Sequence, residues 1–163
     1  TNLIGQAYED RALSLGEGSS ISQPSTIAFM LKLLEVNVNS RILEIGSGSG
    51  YTISLLAKLA SAGELYGIEI NRELVESSTQ KTAKEPRIKI FRVNGKRGFI
   101  RYAPYDRILV SASYPYIPYH LLDQLKINGI MVVPVGNSLF RLRKRIDGVS
   151  EKEYPGFAFV DMQ

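Results

Sequence analysis

The chain contains no cysteine and a single histidine, His120. Without cysteine there is no disulfide and no thiolate metal site, which fits an intracellular chain. One histidine is too few for a His-based metal cluster or a Ser-His-Asp triad, so no metal is expected. No apolar run approaches the ~18 residues of a membrane span, and no signal peptide is visible. A cytoplasmic location without a membrane partner is therefore expected. No internal repeat, low-complexity tract or linker divides the 163 residues. That length suits one domain, 1–163, with a core of its own. Hydrophobic content of 44% and charged content of 22% are ordinary for a globular chain. A net charge of +4 permits acidic partners without requiring them.

What the chain does have is a glycine-rich turn. Residues 41–51 read R-I-L-E-I-G-S-G-S-G-Y, a strand-like run entering Gly46, Gly48 and Gly50 before an apolar helical stretch. Glycines let a ligand approach backbone that side chains would otherwise cover. Amides opening the next helix offer donors. The spacing G-x-G-x-G is one residue short of the dinucleotide fingerprint. About twenty residues on, Glu69 ends a second strand-like run, where a carboxylate that grips ribose hydroxyls is usually found. Together they predict a nucleoside-bearing cofactor. The alternative is a tight strand-to-helix turn beside a solvated glutamate.

The remaining elements follow in order. Residues 1–18 read as irregular, with Gly16 and Gly18 preventing a regular element. Pro24 suits the first turn of a helix with Ser22 or Gln23 as cap, and Ile27, Met30, Leu31 and Leu34 recur at core-facing spacing. A cap is the plainest reading of Ser22. Strands are predicted over 41–45, 64–70, 87–93, 105–111 and 130–135, and helices over 51–59, from Asn71 to about Pro86, and over 119–125. This alternation predicts a mostly parallel sheet covered on both faces, with ligands beyond the carboxyl ends of the strands. From Leu139 onward, Arg141, Arg143, Lys144 and Arg145 interleave with apolar residues. They form a basic face that is either solvated or a docking surface for an acidic polymer. Residues 156–160 read as a last strand hairpinned to the one before.

These blocks taken together resemble the protein-L-isoaspartate (D-aspartate) O-methyltransferase family. The likeness runs from about Ala7 to Val160. Ser20-Ile21-Ser22-Gln23-Pro24 resembles the family's T-I-S-x-P signature, and residues 43–51 match its cofactor loop almost letter for letter. Tyr66-Gly67-Ile68-Glu69 matches its ribose-binding strand, and Pro134-Val135-Gly136 a later block. Three departures stand out. Asn94 replaces a carboxylate that contacts adenine in relatives, Ser25 replaces a larger residue, and Asp161-Met162 stand where relatives have Pro-Leu. The helical segment that precedes the opening block in relatives is not in this chain.

The resemblance implies an α/β, Rossmann-like S-adenosylmethionine-dependent methyltransferase fold with a C-terminal antiparallel hairpin. It implies S-adenosyl-L-methionine as cofactor and isoaspartyl peptides and proteins as substrates, in protein repair. A monomer is expected, with no nucleic-acid partner. Ser20, Ile21, Glu44, Gly46, Ser47, Gly48, Gly50, Glu69, Asn94 and Gly95 are the implied cofactor-binding residues. Ser22 is the implied catalytic residue, orienting the substrate carboxylate, and Glu44 would shape the sulfonium pocket. A carboxylate nucleophile is already ionised at neutral pH and needs no general base. His120 is expected on a helix surface. Two other readings stay open: a methyltransferase of the same fold acting on RNA, and a degenerate cofactor-binding relative.

Overall fold

The computed structural model describes residues 10–16 and 19–163, with 13–16 and 19–21 given by backbone alone. Ala7, Tyr8 and Glu9 of the opening block therefore lie outside the described residues. β1 (Leu13–Gly16) and β2 (Ser19–Ile21) pair antiparallel in a small sheet of their own. This corrects the expectation of an irregular stretch up to residue 18: Gly16 ends a strand rather than preventing one.

α1 (Pro24–Leu34) begins with proline in its first turn and buries Thr26, Ile27, Met30, Leu33 and Leu34. Leu31, expected on that face, is only half-buried. Gln23 holds the cap position without a capping bond from its own side chain, whose amide donates to Ser25 Oγ at 3.1 Å, while Asp10 Oδ1 accepts the Ser25 backbone amide at 3.0 Å. Neither Ser22 nor Gln23 caps the helix in the way the spacing predicts.

The main body runs β3 (Ile42–Ile45), α2 (Tyr51–Leu59), β4 (Leu65–Glu69), α3 (Arg72–Thr82), β5 (Ile88–Arg92) and β6 (Tyr105–Val110). It continues through a 3-10 turn, Tyr119–Gln124, into β7 (Leu125–Val135), β8 (Ser138–Arg145) and β9 (Gly148–Pro155). α3 starts where expected, with the Asn71 side chain accepting the Leu74 amide at 3.1 Å, but it ends at Thr82, short of Pro86. β7 starts five residues earlier than predicted.

The seven strands lie in the order β5-β4-β3-β6-β7-β8-β9, with β3 to β7 parallel and β8 and β9 antiparallel. The α/β class, the parallel sheet and the antiparallel end match the sequence reading. Strand side chains alternate between faces, so Leu43 and Ile45 enter one core with Tyr66, Ile108 and Val110. Ile42 enters the other, with Met30, Leu34, Ile53 and Leu56 of the helices. Glu44 shares the face of Ile42, which sends a carboxylate under α1 and α2. The chain leaves β3 toward β4 and β5, then returns to place β6 on the other side of β3. A crevice opens at the carboxyl ends of strands where the order reverses in this way.

The last strand is β9, not residues 156–160. Those residues turn back across the sheet end: the Gly156 and Phe157 amides both reach the Asn137 carbonyl at 3.0 Å, and the Ser113 amide donates to Val160 at 2.7 Å. Phe157 stacks on Phe29, 5.5 Å between ring centres. The alternating F-A-F-V text serves packing on α1 instead of a strand ladder.

On the basic face of β8, Arg145 is exposed as a solvated face would have it, but Arg141 and Arg143 differ from both readings offered. Arg141 and Arg143 each pair with Glu35, and Arg141 Nε donates to the Leu33 carbonyl at 2.8 Å. Arg107 from β6 adds two bonds to the Glu35 carbonyl, at 3.0 and 2.7 Å. The carboxyl end of α1 carries the negative end of the helix dipole and unpaired carbonyls. The arginines are spent there.

Candidate active site

The glycine turn sits over the β3–β6 crevice. Gly46, Gly48 and Gly50 all have positive φ (81°, 49° and 80°), which non-glycine residues rarely adopt. A Cβ on Gly46 would point at Ser111 and Ala112 across the crevice. The loop's amides are turned inward. Gly46 and Ser47 donate to the Ile68 carbonyl at 2.8 and 3.1 Å, Gly50 to the Ser47 carbonyl at 2.9 Å, and Gly48 to Glu69 Oε2 at 3.0 Å. A phosphate cradle would need those donors free, so the loop offers bare backbone rather than an anion nest.

Glu69 is buried at the end of β4, and its Oε1 accepts the Ile70 and Asn71 amides at 2.8 and 3.0 Å. Counting Gly48, three of about four acceptor sites of the carboxylate are filled. One remains toward the crevice. A cavity of about 250 Å³ opens there, lined among others by Gly46, Gly48, Glu69, Val93, Gly95 and Asp161. The Tyr114 hydroxyl steadies its far rim, reaching the carbonyls of Gly95 at 3.1 Å and Lys96 at 3.2 Å.

Below the loop lies a small polar pocket of about 40 Å³, lined by Ser22, Glu44, Ser47, Thr52 and Ser111 among others. Glu44 is 1% exposed. Its Oε1 accepts Ser111 Oγ at 3.1 Å, while Oε2 and the neighbouring Ser47 Oγ have no partner among the described residues. Burial pushes this carboxyl up to about 8, the Glu69 charge adds to the rise, and the Ser111 hydrogen bond only partly opposes it. Burial therefore favours the protonated form of Glu44. The strand neighbour Gly67 makes room here, because a Cβ on it would come within 3.0 Å of Ser47 and Ile53.

A third cavity, about 490 Å³, runs between the start of α1 and the returning C-terminal segment, lined by Ser22, Gln23, Thr26, Phe157, Phe159 and Ser111 among others. Every described residue lining this groove is uncharged.

Of the residues singled out from sequence, Gly46, Gly48, Glu69 and Gly95 border the large crevice cavity, and Glu44, Ser47 and Ser22 border the small pocket beside it. Ser22 also faces the groove. Ser20 and Ile21 lie in β2, and their side chains are outside the described residues. Gly50 faces the other way, packed on Ser78 and Thr82 of α3. The Asn94 side chain is exposed and accepts the Lys96 amide at 3.0 Å, while Val93 and Gly95 supply the cavity wall. His120 is exposed, and its ring Nε2 donates to the Lys96 carbonyl at 2.8 Å. Sequence reasoning missed Ser111, the residue shared by all three cavities. Local sequence did not mark it; the structure does, by setting it one past β6 beside Ile45.

Comparison with known proteins places these features in context. The family described as Protein-L-isoaspartate(D-aspartate) O-methyltransferase (PCMT) matches residues 2–162. A protein-L-isoaspartate O-methyltransferase of Cytophaga hutchinsonii is 40% identical over 151 residues, covering 92% of this chain and 67% of its own length. One from Methanosarcina mazei is 40% identical over 164 residues, covering 96% and 67%. Among solved structures, a protein-L-isoaspartate O-methyltransferase superposes with a TM-score of 0.89 at 24% identity. It covers 98% of this chain, which spans 54% of that one's length. A Plasmodium falciparum structure of a protein so described, in complex with S-adenosyl-L-homocysteine, gives 0.83 at 24% identity, covering 96% of this chain and 81% of its own. At that identity the likeness is one of fold.

Proposed function

Since the chain belongs to the protein-L-isoaspartate(D-aspartate) O-methyltransferase family, we propose that it transfers the methyl group of S-adenosyl-L-methionine to the free carboxylate of isoaspartyl residues in damaged peptides and proteins. The same proposal takes residues 1–163 as one methyltransferase domain, acting as a monomer in the cytoplasm. The observation that carries it is the meeting of the crevice cavity, the polar pocket and the uncharged groove at Ser111, with Ser22 shared by the pocket and the groove.

The residues present suit the cofactor. Glu69 keeps an acceptor site for ribose hydroxyls, and Gly46, Gly48 and Gly95 let a flat nucleoside lie against backbone. Ser20 and Ile21 would border it from β2, and Asn94 would stand beside the adenine. Ser47, with its free hydroxyl, and Glu44 would lie near the methionine end, and Gly50 would hold the loop in shape. Bound there, the cofactor supplies an electrophilic methyl on a sulfonium.

The chain's own task is alignment. The substrate carboxylate is ionised above about pH 4, so no residue has to remove a proton. The Ser22 hydroxyl donates to one carboxylate oxygen and leaves the other free to attack the methyl in line. Orientation of this kind contributes about 7–11 kcal/mol to a barrier when the geometry is right. Burial favours the neutral form of Glu44, which limits the negative charge set against the incoming carboxylate. The transfer leaves a methyl ester on the substrate and a neutral thioether on the cofactor.

The test is a methyl-transfer assay offering an isoaspartyl peptide, its normal aspartyl twin and RNA. Methylation of the isoaspartyl peptide alone is the expected result. Methylation of RNA would move the chain to another substrate, and none at all would make it a cofactor-binding relative.

A further inference from the structure

We propose that Ser111 is a second hydroxyl for the substrate carboxylate, set across from Ser22 where the three cavities meet and aimed by the buried Glu44 beneath it. The proposal deepens the function proposed above and rests on it. Ser111 directly follows β6, and its amide donates to the Ile45 carbonyl at 2.9 Å, which fixes it against the root of the glycine loop. It lines the crevice cavity, the polar pocket and the groove, so its hydroxyl stands where a methyl donor and a peptide would come together.

A carboxylate about to attack a methyl has one oxygen committed to that bond. The other can accept more than one donor, and Ser22 supplies one. A serine hydroxyl carries a single proton, so where it donates depends on its neighbour. If Glu44 were ionised, Ser111 would spend that proton on it. In the structure Ser111 Oγ donates to Glu44 Oε1 at 3.1 Å; a protonated Glu44 can donate its own proton across that contact instead, which frees the Ser111 proton to turn outward to the substrate. Burial keeps Glu44 in its protonated form up to about pH 8. Among the described residues the charged group set against it is Glu69, from β4. Met30 of α1, Thr52 of α2 and Ser111 itself are uncharged. The chain of donors then runs Glu44 to Ser111 to substrate, with no proton leaving the protein.

The experiment compares wild type, Ser111→Ala and Ser111→Thr with an isoaspartyl peptide, and measures S-adenosyl-L-homocysteine binding by calorimetry on each. Removing a donor to a charged acceptor should lower kcat/KM for the peptide roughly ten- to a hundredfold in Ser111→Ala. S-adenosyl-L-homocysteine binding should persist in that variant, and Ser111→Thr should restore most of the rate. In wild type the rate should fall as pH passes about 8, and Glu44→Gln should remove that alkaline fall. Ser111→Ala with wild-type kcat/KM and a folded, ligand-binding chain would overturn the role of Ser111 alone. A wild type that binds S-adenosyl-L-homocysteine but methylates no isoaspartyl peptide would overturn the proposed function and this role with it.

Discussion

Glu69 accepts the amide of Gly48 at 3.0 Å, so the carboxylate that closes β4 braces the middle of the loop that closes β3. One side chain therefore shapes the loop and faces the crevice. Glu69→Ala should weaken S-adenosylmethionine and S-adenosylhomocysteine by a similar factor, because both carry the same ribose. Hydrogen bonds to a charged acceptor contribute about 1.5–3 kcal/mol each, roughly ten- to a hundredfold in affinity. Calorimetry with both compounds checks this, and a loss confined to one of them would count against a ribose contact.

Ser22 makes no helix cap, so Ser22→Ala should leave stability within about 0.5 kcal/mol. Turnover should respond instead, with kcat/KM for isoaspartyl peptide dropping roughly ten- to a hundredfold. Thermal melts and steady-state kinetics on the same preparation separate the two. Normal turnover would return Ser22 to a purely structural place.

Glu44 predicts a pH-dependent stability of definite sign. Its carboxyl moves from 4.5 to about 8 on folding, so between those values the folded chain holds a proton that the unfolded chain has released. Stability from this group is complete below about pH 4.5 and is lost as pH rises toward 8. The slope is about 1.4 kcal/mol per pH unit inside that window. Glu44→Gln has no such proton to hold, so its stability relative to wild type should grow from pH 5 to pH 8. Denaturant melts at several pH values test this; parallel curves for the two proteins would mean that Glu44 is ionised when folded.

Asn94→Asp should alter cofactor affinity by less than about fivefold, the equivalent of 1 kcal/mol. The side-chain oxygen at this position already accepts the Lys96 amide, and aspartate can keep that bond while its exposed charge stays in water. A titration with S-adenosylhomocysteine that tightens tenfold or more would show that the new carboxylate reaches the adenine.

Much of the fold could be read from local text. The glycine turn, α2 and the Asn71 cap are written in adjacent residues, and their bounds agree with the structure. Elements whose form depends on distant partners could not be read that way. The F-A-F-V run at 157–160 alternates like a strand, yet the Asn137 carbonyl and the Phe29 ring decide its path. The arginines of β8 read as a surface because Glu35, about a hundred positions earlier, is invisible to periodicity. At the site, Glu69 was legible from its spacing after the loop. Ser111 was not, because its importance comes from the reversal of strand order that sets β6 beside β3.

The arginine cluster on Glu35 gives α1 the character of a pointer fixed at its rear. Eleven residues at 1.5 Å each make a rod of about 16 Å, with Ser22 just beyond its N-terminal tip. A tilt of about 4° at the clamped end carries the tip sideways by about 1 Å, and a misplacement of that size can cost on the order of a hundredfold in rate. Arg107, Arg141 and Arg143 line neither cavity nor groove, yet under the role proposed for Ser22 they would set the aim of the hydroxyl at the opposite end. Substitutions there should register first in kcat, with cofactor affinity left in place, so that the precision of methyl transfer is governed from the back of the sheet.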